Sequence, residues 1–361
     1  MGEVRVAIAG LGNCASALVQ GVHFYRDSKA DEEIPGLMHV DFGGYFPKDL
    51  KFVAAFEANS KKVGLDIADA IWVEPNSCVR FAPDLPKIGV KVEAGPLSDG
   101  VAPHMMESFF AHKEDVTVDH VADVLRKSKA DVLVNYLPVG SAKGARMYAQ
   151  AALDAGVAFV NAIPEFIVSD PDDPIAQGYA KAGIPCAGDD IKSQLGATIL
   201  HRVLAQLFDK RGLIVQNTYQ LNIGGNTDFE NMTVEDRLQS KRISKTEAVT
   251  STVSYELPTK IGPSDYVPFL EDNKVCYISM RSKAFGDLPL DLDLKLSVQD
   301  SPNSAGVIID VVRAIKIALD RGIGGELSSI SSYSFKHPRY QIEDFEARRR
   351  VDEFIEGKRE R

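Results

Sequence analysis

The sequence predicts an α/β protein built on a largely parallel sheet and interrupted by an α+β unit with antiparallel strands. Over the first 196 residues, short apolar runs suited to buried parallel strands alternate with helical periodicity. The period then changes to apolar–polar alternation in LIVQNTYQLNIGG, VCYISMRSKAF and LPLDLDLKLSVQD. From about residue 303 a long amphipathic run brings the helical period back. These observations divide the 361 residues into 1–196, 197–302 and 303–361, the last returning to the first unit.

VRVAIAG reads as the first strand, and NCASALVQGVHFY as a helix entered through a tight turn. KFVAAFE is a second strand that ends at Glu57. DVLVNYL, from Asp131, and VAFVNAI, from Val157, are further strands, with the helix GSAKGARMYAQAALDAG between them. SAGVIIDVVRAIKIALDRGIGG is a helix with Ser301 or Asn303 as its cap and Gly322 as its stop. The tail EDFEARRRVDEFIEGKRER reads as a solvated final helix that frays at its end.

Composition narrows the function. At 45% hydrophobic and 25% charged the chain is globular, and a formal charge of −10 excludes a general nucleic-acid binder, which needs clustered cations against phosphates. Cys14, Cys78, Cys186 and Cys276 lack paired spacing, so neither a disulfide framework nor a cysteine-based zinc site is expected, and a reducing cytoplasm fits. No apolar run reaches membrane-spanning length, and the first strand starts at once without a signal-peptide pattern. The histidines show no metal-ligand spacing, so no metal ligand is assigned.

In AGLGNCASAL, Gly10, Gly12 and Ala15 form a G-x-G-x-x-A turn that follows a strand and opens a helix, with Asn13 and Cys14 in the first helical turn. Glycines there let the backbone approach a pyrophosphate, and the helix N-terminus presents free N–H groups to it. The expected unit is therefore a Rossmann-like NAD-binding domain. Glu57 stands where a carboxylate accepts from the adenosine ribose, which favours NAD over NADP unless Lys61 or Lys62 turns inward. Asp66 is a second acidic candidate, as a cofactor contact or as a solvated helical charge. Gly140, Ser141, Asn135 and Asn161 follow or end strands, where ligands gather or where amides cap loops.

GDDIKSQLGATILHRVL puts Asp189, Asp190, Lys192 and Ser193 at one junction, either at a reaction site or as caps for a helix beginning near Ser193. LNIGGNTDFENM supplies Asn226, Asp228 and Asn231. LQSKRISKTEAV places Lys241 and Lys245 at a spacing that shares one helical face, an unfavourable pairing unless an anion lies between them.

Together these segments resemble the myo-inositol-1-phosphate synthases, most closely the shorter prokaryotic branch. VAIAGLGNCASALVQGV, PGLMHV, NYLPVGS, FVNAIPEF, GDDIKSQLGAT, LNIGGNTDF, SKRISKTEAV and DSPNSAGVIIDVVRAIK carry the resemblance along almost the whole chain. It implies a Rossmann-like NAD-binding domain with an inserted α+β catalytic and oligomerisation domain, a homotetramer, and an enzyme converting glucose 6-phosphate to inositol 3-phosphate. Internal oxidation, enolisation, aldol closure and reduction would use one NAD, with a monovalent or divalent cation left open as a further cofactor. The resemblance places Asp189, Asp190, Lys192 and Ser193 beside the nicotinamide and sugar, Lys241 and Lys245 on the substrate, Asp228 and Asp300 in the same pocket, and Tyr148 and Ser128 near the cofactor. Lys192, Lys241 and Lys245 would face the alkoxide, enolate and phosphate, and one of them would relay protons. A Schiff base ranks below simple charge stabilisation. Longer members carry a lysine after G-D-S where Gly286 and Asp287 here precede Leu288 and Pro289, so that cation has no assigned residue. An ordinary NAD-dependent dehydrogenase with net turnover on a small phosphorylated or semialdehyde substrate is the competing reading; a non-catalytic NAD sensor would not need the lysine pair.

Overall fold

The structure is a computed structural model that describes residues 2–105, 109–233 and 239–361. In chain order its strands are β1 (Val4–Ala9), β2 (Leu50–Glu57), β3 (Val92–Ala94), β4 (Val132–Asn135), β5 (Ala158–Asn161), β6 (Pro185–Ala187), β7 (Ile214–Gly224), β8 (Thr259–Tyr266), β9 (Asn273–Lys283), β10 (Pro289–Gln299) and β11 (Gly325–Glu326). The helices are α1 (Asn13–Phe24), α2 (Ile67–Ala70), α3 (Val118–Ser128), α4 (Ala142–Ala155), α5 (Pro174–Ala182), α6 (Ala197–Lys210), α7 (Thr227–Asn231), α8 (Gln239–Thr250), α9 (Asp300–Arg321), α10 (Ser328–Ser334) and α11 (Asp344–Ile355).

Among the described residues, a seven-stranded parallel sheet runs in the order β3-β2-β1-β4-β5-β6-β11. The order reverses direction between β1 and β4, the switch point beside which dinucleotide folds open their binding crevice. β4 and β5 are buried at every position, as strands covered by helices on both faces must be. One core layer packs α1 and α9 against β1, β4 and β5; the other packs α3, α4 and α5 on the opposite face. β3, β6 and β11 have two or three residues each, too few to show a period in the sequence.

The second sheet runs β10-β9-β7-β8. β10–β9 and β9–β7 are antiparallel as expected, but β8 joins β7 in parallel, so the unit is mixed rather than purely antiparallel. Its segment TKIGPSDY contains Gly262 and Pro263, which hide a strand in a loop-like composition. Leu238, the first residue of the LQSKRISKTEAV segment, lies outside the described residues, and α8 is described from Gln239 onward.

The helix read from Ser304 begins earlier, at Asp300, and neither Ser301 nor Asn303 caps it. β10 ends at Gln299 and feeds directly into α9, with Gln299 in the cap position and no side-chain cap bond. Gly322 does end the helix, at φ 67°. The charged tail helix is less solvated than expected: Ala347, Val351 and Phe354 of α11 are buried, while Arg349 pairs with Glu346 and Glu353 on the outer side.

Candidate active site

One cavity extends from the C-terminal ends of β1, β2 and β4 to the edge of the second sheet. Gly10, Gly12, Asn13, Cys14, Ala15, Glu57 and Tyr148 line one end; Asp190, Ser193, Asp228, Lys241, Lys245, Lys274, Asp300 and Lys336 line the other. Gly10 adopts φ +88°, and a Cβ there would lie 2.7 Å from the Tyr136 carbonyl oxygen, so this turn is open to glycine alone. A Cβ on Gly12 would meet nothing within 4 Å and would project into free space. Gly12 is the N-cap of α1, makes no side-chain cap bond, and is followed by no acidic residue in the first turn. The helix end is thus left to an anion. α6 offers a second such end: Gly196 caps it without a side-chain bond, and Ala197, Thr198 and Ile199 line the cavity.

Glu57 lies at the end of β2, where its carboxylate accepts from Leu11 N–H at 2.8 Å, Ala58 N–H at 2.6 Å and Asn59 N–H at 3.2 Å. Lys61 leaves the site and stacks its ammonium on the Phe110 ring. Lys62 turns inward and lines the cavity. Tyr148 is buried on α4 with its ring against Phe56, and burial holds its phenol well above the ordinary value.

At the other end, four lysines and three aspartates share one space. Lys241 donates to Asp228 at 2.6 Å, Lys274 to Asp300 at 2.8 Å, and Lys336 to Asp190 at 2.8 Å and to the Ile191 carbonyl at 2.7 Å. Ser244 donates to the second Asp190 oxygen at 2.6 Å. Burial works to raise the Asp190 pKa, but the charges of Lys336 and Lys241 with these hydrogen bonds hold it below the ordinary value. Asp300 is likewise held down, chiefly by Lys274 against the effect of burial. Behind them Asp272 accepts from Asn226 and Ser301; burial pushes its carboxyl up to about 6.

Lys245 differs from its neighbours. It is 5% exposed and, among the described residues, its ammonium has no hydrogen-bond or ion-pair partner. Burial, and then the charges of Lys241, Lys274 and Lys336, depress its pKa well below the ordinary lysine value, with Asp190 opposing. The neutral amine is thereby favoured more than in a solvent-exposed lysine, which suits the group to accepting a proton. Asn231 Oδ1 and the Tyr136 hydroxyl, both at the cavity wall, are buried without a partner among the described residues, so the wall still has polar groups for a ligand to satisfy.

Comparison with known proteins places the chain in a family. The sequence profile described as myo-inositol-1-phosphate synthase matches residues 196–301. The inositol-3-phosphate synthase of Mycolicibacterium smegmatis is 52% identical over 99% of this chain and 99% of its own length. The chain belongs to the myo-inositol-1-phosphate synthase family. Inositol-3-phosphate synthase of Corynebacterium glutamicum is also 52% identical, over 98% of each chain. Among solved structures, that of Ari2 covers 98% of this chain and 99% of its own with 38% identity and a TM-score of 0.78.

Four residues that the sequence placed at or near the site, Asp66 from its own position and the other three from the family resemblance, stand elsewhere. Asp66 caps α2 by accepting from Ala68 N–H and holds the loop at Ile88 and Gly89, away from the cavity lining. Ser128 ends α3 before β4, on the edge of the sheet opposite the cavity, and donates to the Leu125 carbonyl. Lys192 is buried outside the lining: its ammonium donates to the Ser332 carbonyl at 2.9 Å and to Asp344 at 3.0 Å, and Asp344 also accepts from Arg202. Burial lowers the Lys192 pKa to about 8 against the pull of Asp344. This charge triad ties the loop after β6 to α6 and α11. Asp189 is fully buried, and its oxygens accept from Asn161, from the N–H groups of Ile167, Val168 and Ser169, and from the Ser169 hydroxyl. Burial pushes its carboxyl up to about 7 while these donors pull it back. Neither aspartate caps α6, which starts only at Ala197. Asn135 and Asn161, the last residues of β4 and β5, bond to each other at 2.9 Å as buried amides, and Ser141 donates to the Pro138 carbonyl.

Two lysines of the site went unread in the sequence. Lys274 is the second residue of β9 and Lys336 follows α10, each without a second lysine at helical spacing, so no spacing signalled them. The GDDIKS segment was informative only for Asp190 and Ser193. Among the described residues no group of three or more His, Cys, Asp or Glu side chains is placed to hold a metal ion.

A prediction arises at Asp189. Every partner of its side chain donates, so Asp189→Asn would face an NH2 group toward N–H donors and lower stability by on the order of 3 kcal/mol. Urea unfolding measures this; a loss below about 1 kcal/mol would show that the loop relaxes around the amide.

Proposed function

We propose that the chain is an isomerase that cyclises glucose 6-phosphate to inositol 3-phosphate with NAD held as a catalyst. The observation that carries the reading is the dinucleotide turn and the four-lysine cluster at two ends of one cavity. The residues fit NAD: the space above Gly12 takes the pyrophosphate, the open end of α1 faces it, and Glu57 stands at the ribose. NAD supplies reversible hydride removal, so that oxidation at C5 is undone after ring closure.

The chain's own residues supply charge and proton transfer. The open N-terminus of α6 and the lysines suit the phosphate dianion. Lys241, Lys274 and Lys336 oppose the negative charge that develops on the sugar oxygen during enolisation and aldol closure of C6 onto C1. Their aspartate partners fix each ammonium in place beforehand, which avoids reorganisation during the reaction. Lys245, unpaired among the described residues and inclined to the neutral amine, accepts the C6 proton. Electrostatic stabilisation of this kind requires no Schiff base.

The test is incubation with glucose 6-phosphate and substoichiometric NAD, with products identified by phosphorus and proton NMR. Inositol phosphate in excess of NAD is expected. Steady NADH accumulation would instead establish the dehydrogenase reading.

The outer face of the second sheet supports a homotetramer. Tyr219, Leu221 and Tyr277 are each 40% exposed there, with Leu221 opposite Tyr277 across the β7–β9 pair, and β10 has a free edge. Light scattering should give about four times the 39.4 kDa of one chain; a monomer would refute this. No helix of the described residues is long and apolar enough to cross a membrane, and with a formal charge of −10 a cytoplasmic enzyme without nucleic-acid partners is the reading we adopt.

A further inference from the structure

The turn Gly10-Leu11-Gly12 is gripped at both polar groups of its central residue. Leu11 N–H donates to Glu57 Oε2 at 2.8 Å, while the Leu11 carbonyl accepts from Lys62 Nζ at 2.9 Å and from Asn76 Nδ2 at 3.2 Å. Lys62 also donates to Asn76 Oδ1 at 2.8 Å and stands 3.9 Å from Glu57 Oε2. Both charged residues line the cavity, although Glu57 is only 5% and Lys62 only 1% exposed. An ammonium has three donors. Leu11 and Asn76 take two of them, and the separation from Glu57 exceeds hydrogen-bond reach, so the third is uncommitted among the described residues.

We infer that Lys62 is a specificity-determining residue for the dinucleotide: its third donor serves the adenosine ribose, and only the charge of Glu57 keeps the same ammonium from holding a 2′-phosphate. The inference rests on the NAD reading above. Dinucleotide folds that take a 2′-phosphate place a cation near the end of the second strand, and those that take the free hydroxyl place a carboxylate there. This chain has both, 3.9 Å apart. With Glu57 ionised the ribose edge has no net charge from the pair, and a phosphate dianion must approach a carboxylate. Neutralising Glu57 leaves a lone buried cation, to which a dianion is strongly attracted in surroundings of low dielectric.

The experiment titrates NADH and NADPH into the full chain at pH 7, following nicotinamide fluorescence, for the wild type, Glu57→Gln and Glu57→Gln/Lys62→Met. Glu57→Gln should lower the ratio of the NADPH to the NADH dissociation constant by about tenfold or more, and the added Lys62→Met should restore it to within about threefold of wild type. Lys62→Arg in the same background should keep the gain, since it retains the charge. If Lys62 merely supported the turn, its loss would weaken both dinucleotides together and leave the ratio unmoved; that result would overturn the inference, as would an unchanged ratio in Glu57→Gln. Should circular dichroism show Glu57→Gln misfolded, Glu57→Ser replaces it, because a short side chain leaves the Leu11 and Ala58 amides open to water. A wild type that binds no NADH would overturn the NAD reading itself and the inference with it.

Discussion

Lys245→Met should lower turnover by about a thousandfold while leaving NADH binding within a small factor of wild type. The other three lysines of the cluster are each hydrogen-bonded to an aspartate, so their charge is fixed in place. Lys245 has no such partner among the described residues, is buried, and has three like charges near it, each of which makes protonation harder. A nucleotide bound at the far end of the cavity does not depend on it. The sign of the accompanying stability change is opposite to that of most core substitutions. The folded chain holds the Lys245 proton less tightly than the unfolded chain, whose lysine titrates at the ordinary 10.5. Between the depressed folded value and 10.5 the unfolded state therefore binds more protons, and this residue's contribution to stability rises with pH across that window. Lys245→Met removes the penalty, so the variant should unfold at higher temperature than wild type, by a margin that is largest at low pH and shrinks as pH rises toward 10.5. Calorimetry across pH measures the margin. More than about a tenth of wild-type turnover in the variant would remove Lys245 from the proton transfer.

What the sequence revealed of this site followed from how locally each part is encoded. The β1–α1 turn is a continuous segment whose glycines and helix start are all within one supersecondary unit, so strand, turn and carboxylate at Glu57 were readable together. Lys241 and Lys245 were readable because one helix carries both. Lys274 and Lys336 are brought to the same cavity only by the docking of the second sheet and of α10, and single lysines in a strand or loop have no local signature. Lys192 illustrates the converse. Its neighbours in sequence suggested a place in the cationic lining, but Asp190 sits at φ 61°, which breaks the regular alternation of an extended chain. Asp190 consequently reaches Lys336 in the cavity while Lys192 is turned to Asp344 behind it. The expected cap residues of α9 failed for a related reason, since the strand β10 runs into the helix with no loop in which a cap could form.

Gly12→Val should fold normally and lose NADH affinity by about a hundredfold, whereas Gly10→Val should unfold the domain, although the two glycines are separated by a single residue. At Gly12 an added Cβ meets no protein atom within 4 Å, and the residue lies outside the positive-φ region, so neither clash nor backbone strain opposes a side chain. The branched side chain instead enters the cavity at the open end of α1, in the space a pyrophosphate needs. At Gly10 the φ of +88° is strained for any branched residue, and the Cβ would stand 2.7 Å from the Tyr136 carbonyl oxygen. That carbonyl belongs to the backbone just after β4, where Tyr136 N–H donates to the Ala9 carbonyl at 2.8 Å, so it cannot yield without breaking the β1–β4 ladder. A loss on the order of 4 kcal/mol is expected from strain and overlap together. Circular dichroism melts and NADH titrations on the two variants separate the effects. If Gly12→Val bound NADH as the wild type does, the space above α1 would not be the pyrophosphate site, whatever the fold around it resembles.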